Sequence, residues 1–388
     1  MAHPIDVDDI ILNFDPAKPH ARFLAMGLPA DLMVAEAALP SMPPWPSGAA
    51  PTPAPFVKPP AESADLSQFK GYDAVAVTWT AAEASAMASL FTPGYPTSEW
   101  YEYRHKVASY MPMVTGAKAP FNDARAEMER YYHSLGLYFP CTIRGKRVLL
   151  FKSGLHLDYD GPQFPVRRLM TEIAQAVEPK VFITTGTGGG IGADVKLGDV
   201  VVAGTVKFDC NAQFQNQPWA TKSYTPSALP AGALAAMTPD LMKVNAARIS
   251  GGRATPEIFS SPGDAVVTTD VFAFDDSTDY YGLQGLGRAC DMGDAMVADA
   301  LQAFNTISWH SIRNASDPQI PNPDHKIEEA NKQAGLIYAK YGGLTTAASL
   351  IATWAIIQAG DQSAGAAESS PISAGYKLGR LPPEKRGH

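Results

Sequence analysis

The residue types that could do chemistry crowd into one stretch, "VFITTGTGGGIGADVKLGDVVVAG", Val181 to Gly204, which carries seven glycines between two apolar runs. Glycines free backbone amides to point inward as donors, and Thr187 places a hydroxyl among them. A nest of this kind suits a phosphate or sugar hydroxyls. The same glycines serve equally well as a β-bulge or barrel corner, where they let the backbone bend. Gly188, Gly190 and Ala193 match G-x-G-x-x-A. That fingerprint requires a helix to open inside it and face a pyrophosphate. Here Val195, Gly198, Asp199 and three valines follow, which predict a turn and a strand. No G-K-[ST] follows the glycines, so a P-loop is excluded as well. Arg167 and Arg168 offer a candidate phosphate clamp, though they fall inside a helical pattern.

The elements that must position this stretch alternate along the chain. "DAVAVTW" reads as a strand and "TAAEASAMASLF" as an alanine-rich helix stopped by Pro93 and Gly94. Residues 95–138 read as irregular, with a helix over "FNDARAEMERYYHSL" capped by Asn122 or Asp123. "RVLLFKSG" is a strand, and "PVRRLMTEIAQAV" is a helix opened by Pro165. "KVFITTG", "DVVVAGTVKF", "DAVVTTDVF" and "TISWHSIRNAS" are strands, and "DAMVADALQAF" is a helix. Two helices are expected over 326–340 and 344–359. The alternation predicts an α/β domain with a mixed, mostly parallel sheet flanked by helices. Residues 39–60 are dense in proline and read as an extended strap or linker. Ile10, Ile11, Leu12, Phe14 and Phe23 before it are apolar enough to pack. The chain divides into a 1–65 extension, a 66–365 domain and a 366–388 tail.

The 388 residues carry a formal net charge of −8 and are 46% hydrophobic, which fits a globular core. Mild acidity without a basic run argues against a nucleic-acid partner. Cys141, Cys210 and Cys290 lie far apart and outside any CxxC spacing, which predicts neither a disulfide framework nor a zinc site. The N-terminus lacks a basic region followed by an apolar core, and Leu344 to Ala359 is short for a membrane span. A cytoplasmic protein with no membrane partner is expected.

"TTGTGGGIGADVKLGDVVVA" resembles the signature of the purine nucleoside phosphorylase and uridine phosphorylase superfamily, and most of all its methylthioadenosine/S-adenosylhomocysteine nucleosidase branch. Three companions come in the family order: "DAVAVTWTAAEASAM", "VTTDVF" and "RNASDP". The resemblance spans residues 70–360 and implies the three-layer phosphorylase-type fold, with a homo-oligomer expected. It implies cleavage of the N-glycosidic bond of a purine nucleoside-like small molecule, with no cofactor and no metal. Phosphate would be the co-substrate of a phosphorylase, and water that of a nucleosidase.

By that resemblance Asp317 is the acid that protonates the departing base, and its pKa must be raised for this work. An aspartate capping the turn before Pro318 is the structural alternative. Glu83 matches the carboxylate that activates water. Its alternative is a solvated glutamate in the first turn of a helix. Phe272 would stack on the base and Met292 would lie under the ribose, both against the alternative of core packing. Gly186, Thr187, Gly188, Gly189 and Ser316 would line the sugar or nucleophile site.

The pattern breaks in two places. The position of the ribose-binding glutamate is Gly293, in "CDMGDAM", and Asp294 is the nearest substitute. On a helix Asp294 would point about 100° away. A different sugar, or an impaired nucleoside-binding protein, is the implied alternative. The segment "SGLHLDYDGPQFPVRR" is longer than its counterparts and brings His156, Asp158, Tyr159 and Asp160 near the strand end, either at the pocket or as a solvent loop.

Overall fold

The computed structural model describes Leu12 and residues 15–17, 39–114, 133–157 and 163–360. The predicted helix over 121–135, its caps, Asp158 to Asp160, most of the N-terminal segment and the C-terminal tail lie wholly or largely outside the described residues.

The sheet grows outward from β6 (Val181–Gly190). On one edge β6 pairs in parallel with β13 (Ser308–Asp317) along nearly its whole length. On its other edge its first residues pair in parallel with β2 (Ala74–Thr78), and its last two pair antiparallel with β12 (Ala289–Asp291). Beyond β2 run β5 (Lys146–Ser153), β4 (Gly136–Ile143), and then β1 (Thr52–Pro53) and β3 (Tyr101–Tyr103). Beyond β12 run β11 (Ala265–Thr268), β8 (Thr205–Phe208) and β9 (Ser223–Tyr224). β7 (Val200–Val202) and β10 (Ile258–Phe259) extend the sheet from β13.

Both faces of this sheet are covered, which explains its continuous apolar runs. In β2, Val75 and Val77 face one core while Ala74 and Ala76 face the other. The first core is covered by helices Pro165–Val177 and Asp294–Leu301. The second is covered by helices Ala81–Phe91 and Ile327–Ala359. The result is the expected three-layer α/β fold, with most paired residues in parallel ladders.

Several expectations change. The glycines form no loop, because β6 runs straight through Gly186 to Gly190. "DVVVAGTVKF" is two strands, β7 and β8, with different neighbours. They separate at Gly204, where any side chain would overlap the Ser261 carbonyl. "GLYFPCTI" is a full strand despite Gly136 and Pro140, within the stretch expected to be irregular. The two C-terminal helices are one helix of 33 residues. Gly342 and Gly343 do not break it; the Tyr338 ring and Pro16 pack against them closely enough to crowd any side chain. The most apolar window of this helix is 94% buried inside the molecule. The proline-rich strap packs on the same body. Trp45 tilts against Trp354 at 5.0 Å, and Trp354 Nε1 donates to the Ala49 carbonyl.

Candidate active site

Between Val77↔Thr184 and Cys290↔Gly189 the β6 edge has no strand neighbour, because β2 has ended and β12 has not begun. A cavity of about 530 Å³ opens at this gap. Ligands in open α/β sheets bind at such divergences beyond strand ends. Thr187, Gly188, Gly189, Phe272, Met292 and Ser316 all line it. Glu83, Asp317 and His156 line it too.

The segment Thr78–Glu83 builds one wall. β2 ends at Thr78, and Thr80 caps the helix Ala81–Phe91 in a reciprocal capping box with Glu83. The Glu83 carboxylate is 1% exposed, so it is not a solvated glutamate of a helix first turn. Its Oε2 accepts from Thr78 Oγ1 and from the N–H groups of Trp79 and Thr80 at 2.5–2.9 Å. Its Oε1 accepts from the Thr187 N–H and the Thr187 hydroxyl, both at 2.6 Å. Burial pushes the Glu83 pKa up, but Arg313 and these hydrogen bonds outweigh it and hold the group below the ordinary value. Gly186 does not line the cavity; it leaves the space that Glu83 fills, at a φ of +149°.

Asp317 closes the end of β13 opposite Gly189, just after a register shift between Ala315 and Asp317. Its Oδ1 accepts from the Ser316 hydroxyl at 2.9 Å, while Oδ2 is buried without a partner. It makes no cap for the turn before Pro318. Burial pushes its pKa up to about 7. Phe272 and Tyr338 pack together at the same cavity, and the Tyr338 hydroxyl shares a 2.7 Å hydrogen bond with Thr80 Oγ1.

Asp294 departs from expectation. It does not line the cavity. As the first residue after the Gly293 N-cap, it turns to Arg313, which binds it through Nε at 2.8 Å and through Nη2. Ser311 Oγ donates to it at 2.5 Å. Asp291 accepts from the N–H groups of Gly293 and Asp294 and from Thr268 Oγ1, and forms an ion pair with Arg313 Nη2 at 3.1 Å. Burial and the neighbouring Asp294 raise the Asp291 pKa.

Arg167 and Arg168 form no clamp. Arg167 pairs with Asp299 on the outer surface, and Arg168 pairs with Glu172 and covers Tyr110. The guanidinium at the site is Arg313, the first residue of "RNASDP". Trp79, Asp291 and Tyr338 also line the cavity, and no sequence signal pointed to them.

The three-layer α/β sheet thus carries a buried carboxyl at the end of one central strand and a carboxylate beside another, both in one cavity. The chain matches the phosphorylase superfamily over residues 115–337, more than half its length, and belongs to that family. Comparison with curated protein sequences finds no match. Among solved structures the chain is similar to the 5′-methylthioadenosine/S-adenosylhomocysteine nucleosidase of Neisseria meningitidis, bound to methylthio-immucillin-A. The two share 16% identity over 74% of this chain and 99% of that one, with a TM-score of 0.43. The Streptococcus pneumoniae MTA/SAH nucleosidase, bound to 8-aminoadenine, is 15% identical over 74% and 99%, with a TM-score of 0.45. A futalosine hydrolase mutant of Helicobacter pylori is 12% identical over 74% and 99%, with a TM-score of 0.44.

Proposed function

We propose that the protein hydrolyses the N-glycosidic bond of a purine nucleoside-like small molecule. One observation carries this reading: two buried carboxyls in one cavity have their pKa values moved in opposite directions, Asp317 up to about 7 and Glu83 down. Environments that separate two such groups divide the acid role from the base role. Asp317 holds a proton near neutral pH and presents Oδ2 to the departing base. Glu83 stays ionised, and its Oε1 is bridged by the Thr187 hydroxyl. A water beside Thr187 Oγ1 attacks the sugar carbon, and its proton passes to Glu83. Phe272 supplies the aromatic face for the base.

Water is favoured over phosphate by charge. Arg313 is the one lysine or arginine among the described residues lining the cavity. It is already bound to Asp294 and Asp291 and lies 3.7 Å from Glu83. Its positive charge is thus already engaged by carboxyl groups, with none left over to clamp a second anion. That opposes a phosphate dianion.

The test is release of free base from methylthioadenosine, adenosine, inosine and guanosine, with and without phosphate. Base release independent of phosphate is expected. Release that strictly requires phosphate replaces hydrolysis with phosphorolysis, and no release in either condition removes the enzymatic reading.

A further inference from the structure

Gly293 lies against the Trp79 indole. A Cβ placed on Gly293 would fall 3.0 Å from Trp79 Cζ2 and 3.1 Å from Cε2, so a side chain there requires the indole to give by a few tenths of an ångström. Trp79 lines the cavity, and Arg313 covers its ring at 4.9 Å. Its Nε1 is buried and has no hydrogen-bond partner. A buried indole N–H ordinarily finds an acceptor, and this one finds none among the protein atoms. The carboxylates around it are committed. Asp291 and Asp294 are bound to Arg313, and Glu83 accepts five hydrogen bonds. Apart from Glu83, which takes the proton of the attacking water, this wall therefore offers an aromatic face and one donor, but no carboxylate free to accept from a sugar hydroxyl.

The Trp79 backbone N–H is itself held by Glu83, so the indole and the proposed base belong to one wall of the cavity. We propose that the Trp79–Gly293 pair sets the sugar specificity of the site and selects purine 2′-deoxyribonucleosides over ribonucleosides. The proposal rests on the N-glycosidase reading. A ribose brings two neighbouring hydroxyls whose protons need acceptors once buried, and an unmet one costs binding. A 2′-methylene packs on the indole without that cost, and the 3′-oxygen accepts from Nε1–H.

The experiment measures kcat/KM for 2′-deoxyadenosine and adenosine with the wild type, Trp79→Phe, Trp79→Ala and the double variant Trp79→Ala/Gly293→Glu. Dissociation constants for both nucleosides are measured by calorimetry on Asp317→Asn. The wild type should favour the deoxy substrate by about tenfold or more, the scale of one unmet hydrogen bond. Trp79→Phe keeps the ring and should lower kcat/KM for both substrates together. The double variant should reverse the preference, because it opens the space and supplies a carboxylate. Equal or better use of adenosine by the wild type overturns the proposal whether or not any variant folds. If no nucleoside is cleaved, the glycosidase reading fails by itself. The calorimetric ratio then still decides, and adenosine binding as tightly as 2′-deoxyadenosine overturns the selection.

Discussion

Glu83 Oε1 accepts the backbone N–H of Thr187 at 2.6 Å, so a helix side chain closes the β6 edge where no strand does. The carboxylate thus replaces a missing ladder bond while also facing the cavity. In Glu83→Gln the amide would present N–H atoms to a ring of donors. The variant should lose roughly 2–4 kcal/mol of stability. Base release should fall by about 10²- to 10⁴-fold under conditions where the protein is folded. Urea unfolding and single-turnover assays read the two effects separately.

Asp317 ties activity and stability to pH in the same window. The acid form is needed, so kcat/KM should decline as pH rises through about 7. Its folded pKa lies above the unfolded value of roughly 3.9, so its contribution to stability is complete below pH ~4 and is lost as pH rises through about 7. Asp317→Asn should flatten the stability profile between those limits and lower kcat by about 10²- to 10⁴-fold. Denaturation midpoints taken from pH 4 to pH 8 check the first effect. An unchanged turnover would remove Asp317 from the acid role.

Arg313 is the cation that Asp291, Asp294 and Glu83 share. Arg313→Met leaves three buried carboxylates facing one another. A loss of about 3–5 kcal/mol is expected at pH 8. Without the guanidinium the folded-state carboxylate pKa values rise, so stability should recover as pH falls toward 5. A variant equally unstable at both pH values would show that charge repulsion is not the cause.

Gly186→Ala tests the close approach of β6 to Glu83. The added methyl would overlap Glu83 Oε1, at a backbone φ of +149° that disfavours any side chain. A loss of about 3 kcal/mol or more is expected from overpacking and strain together. Ala at Gly263, which has open space and an ordinary φ, should change little and serves as the control in the same thermal melts.

Much of the architecture was legible because local pattern and tertiary need agree. The alanine-rich run after Thr80 forms its helix, Pro165 opens the next, and the valine-rich runs form strands. The errors fall where packing overrode local signals. Gly342 and Gly343 lie between the two helices expected from the sequence but make room for Tyr338 and Pro16 within one helix. Gly136 and Pro140 hid β4, which persists because it pairs with β5 along eight residues.

The candidate site divides the same way. The order of Glu83, Thr187, Phe272, Met292, Ser316 and Asp317 along the chain is a property of the sequence, and all six line one cavity. The meaning of the glycines depended on neighbours far away in the chain. Gly186 gives space to Glu83, Gly188 to the Cys290 carbonyl, and Gly189 to Cys290 Sγ and Asp317. The direction of Asp294 toward Arg313, and the indole of Trp79 against Gly293, likewise arise only when β2, β12 and β13 meet around β6. Sequence determined which chemical groups the chain carries and the elements that hold them. Tertiary structure decided which are neutralised, which are crowded out and which still face the cavity, because burial and charge pairing are properties of the assembled sheet.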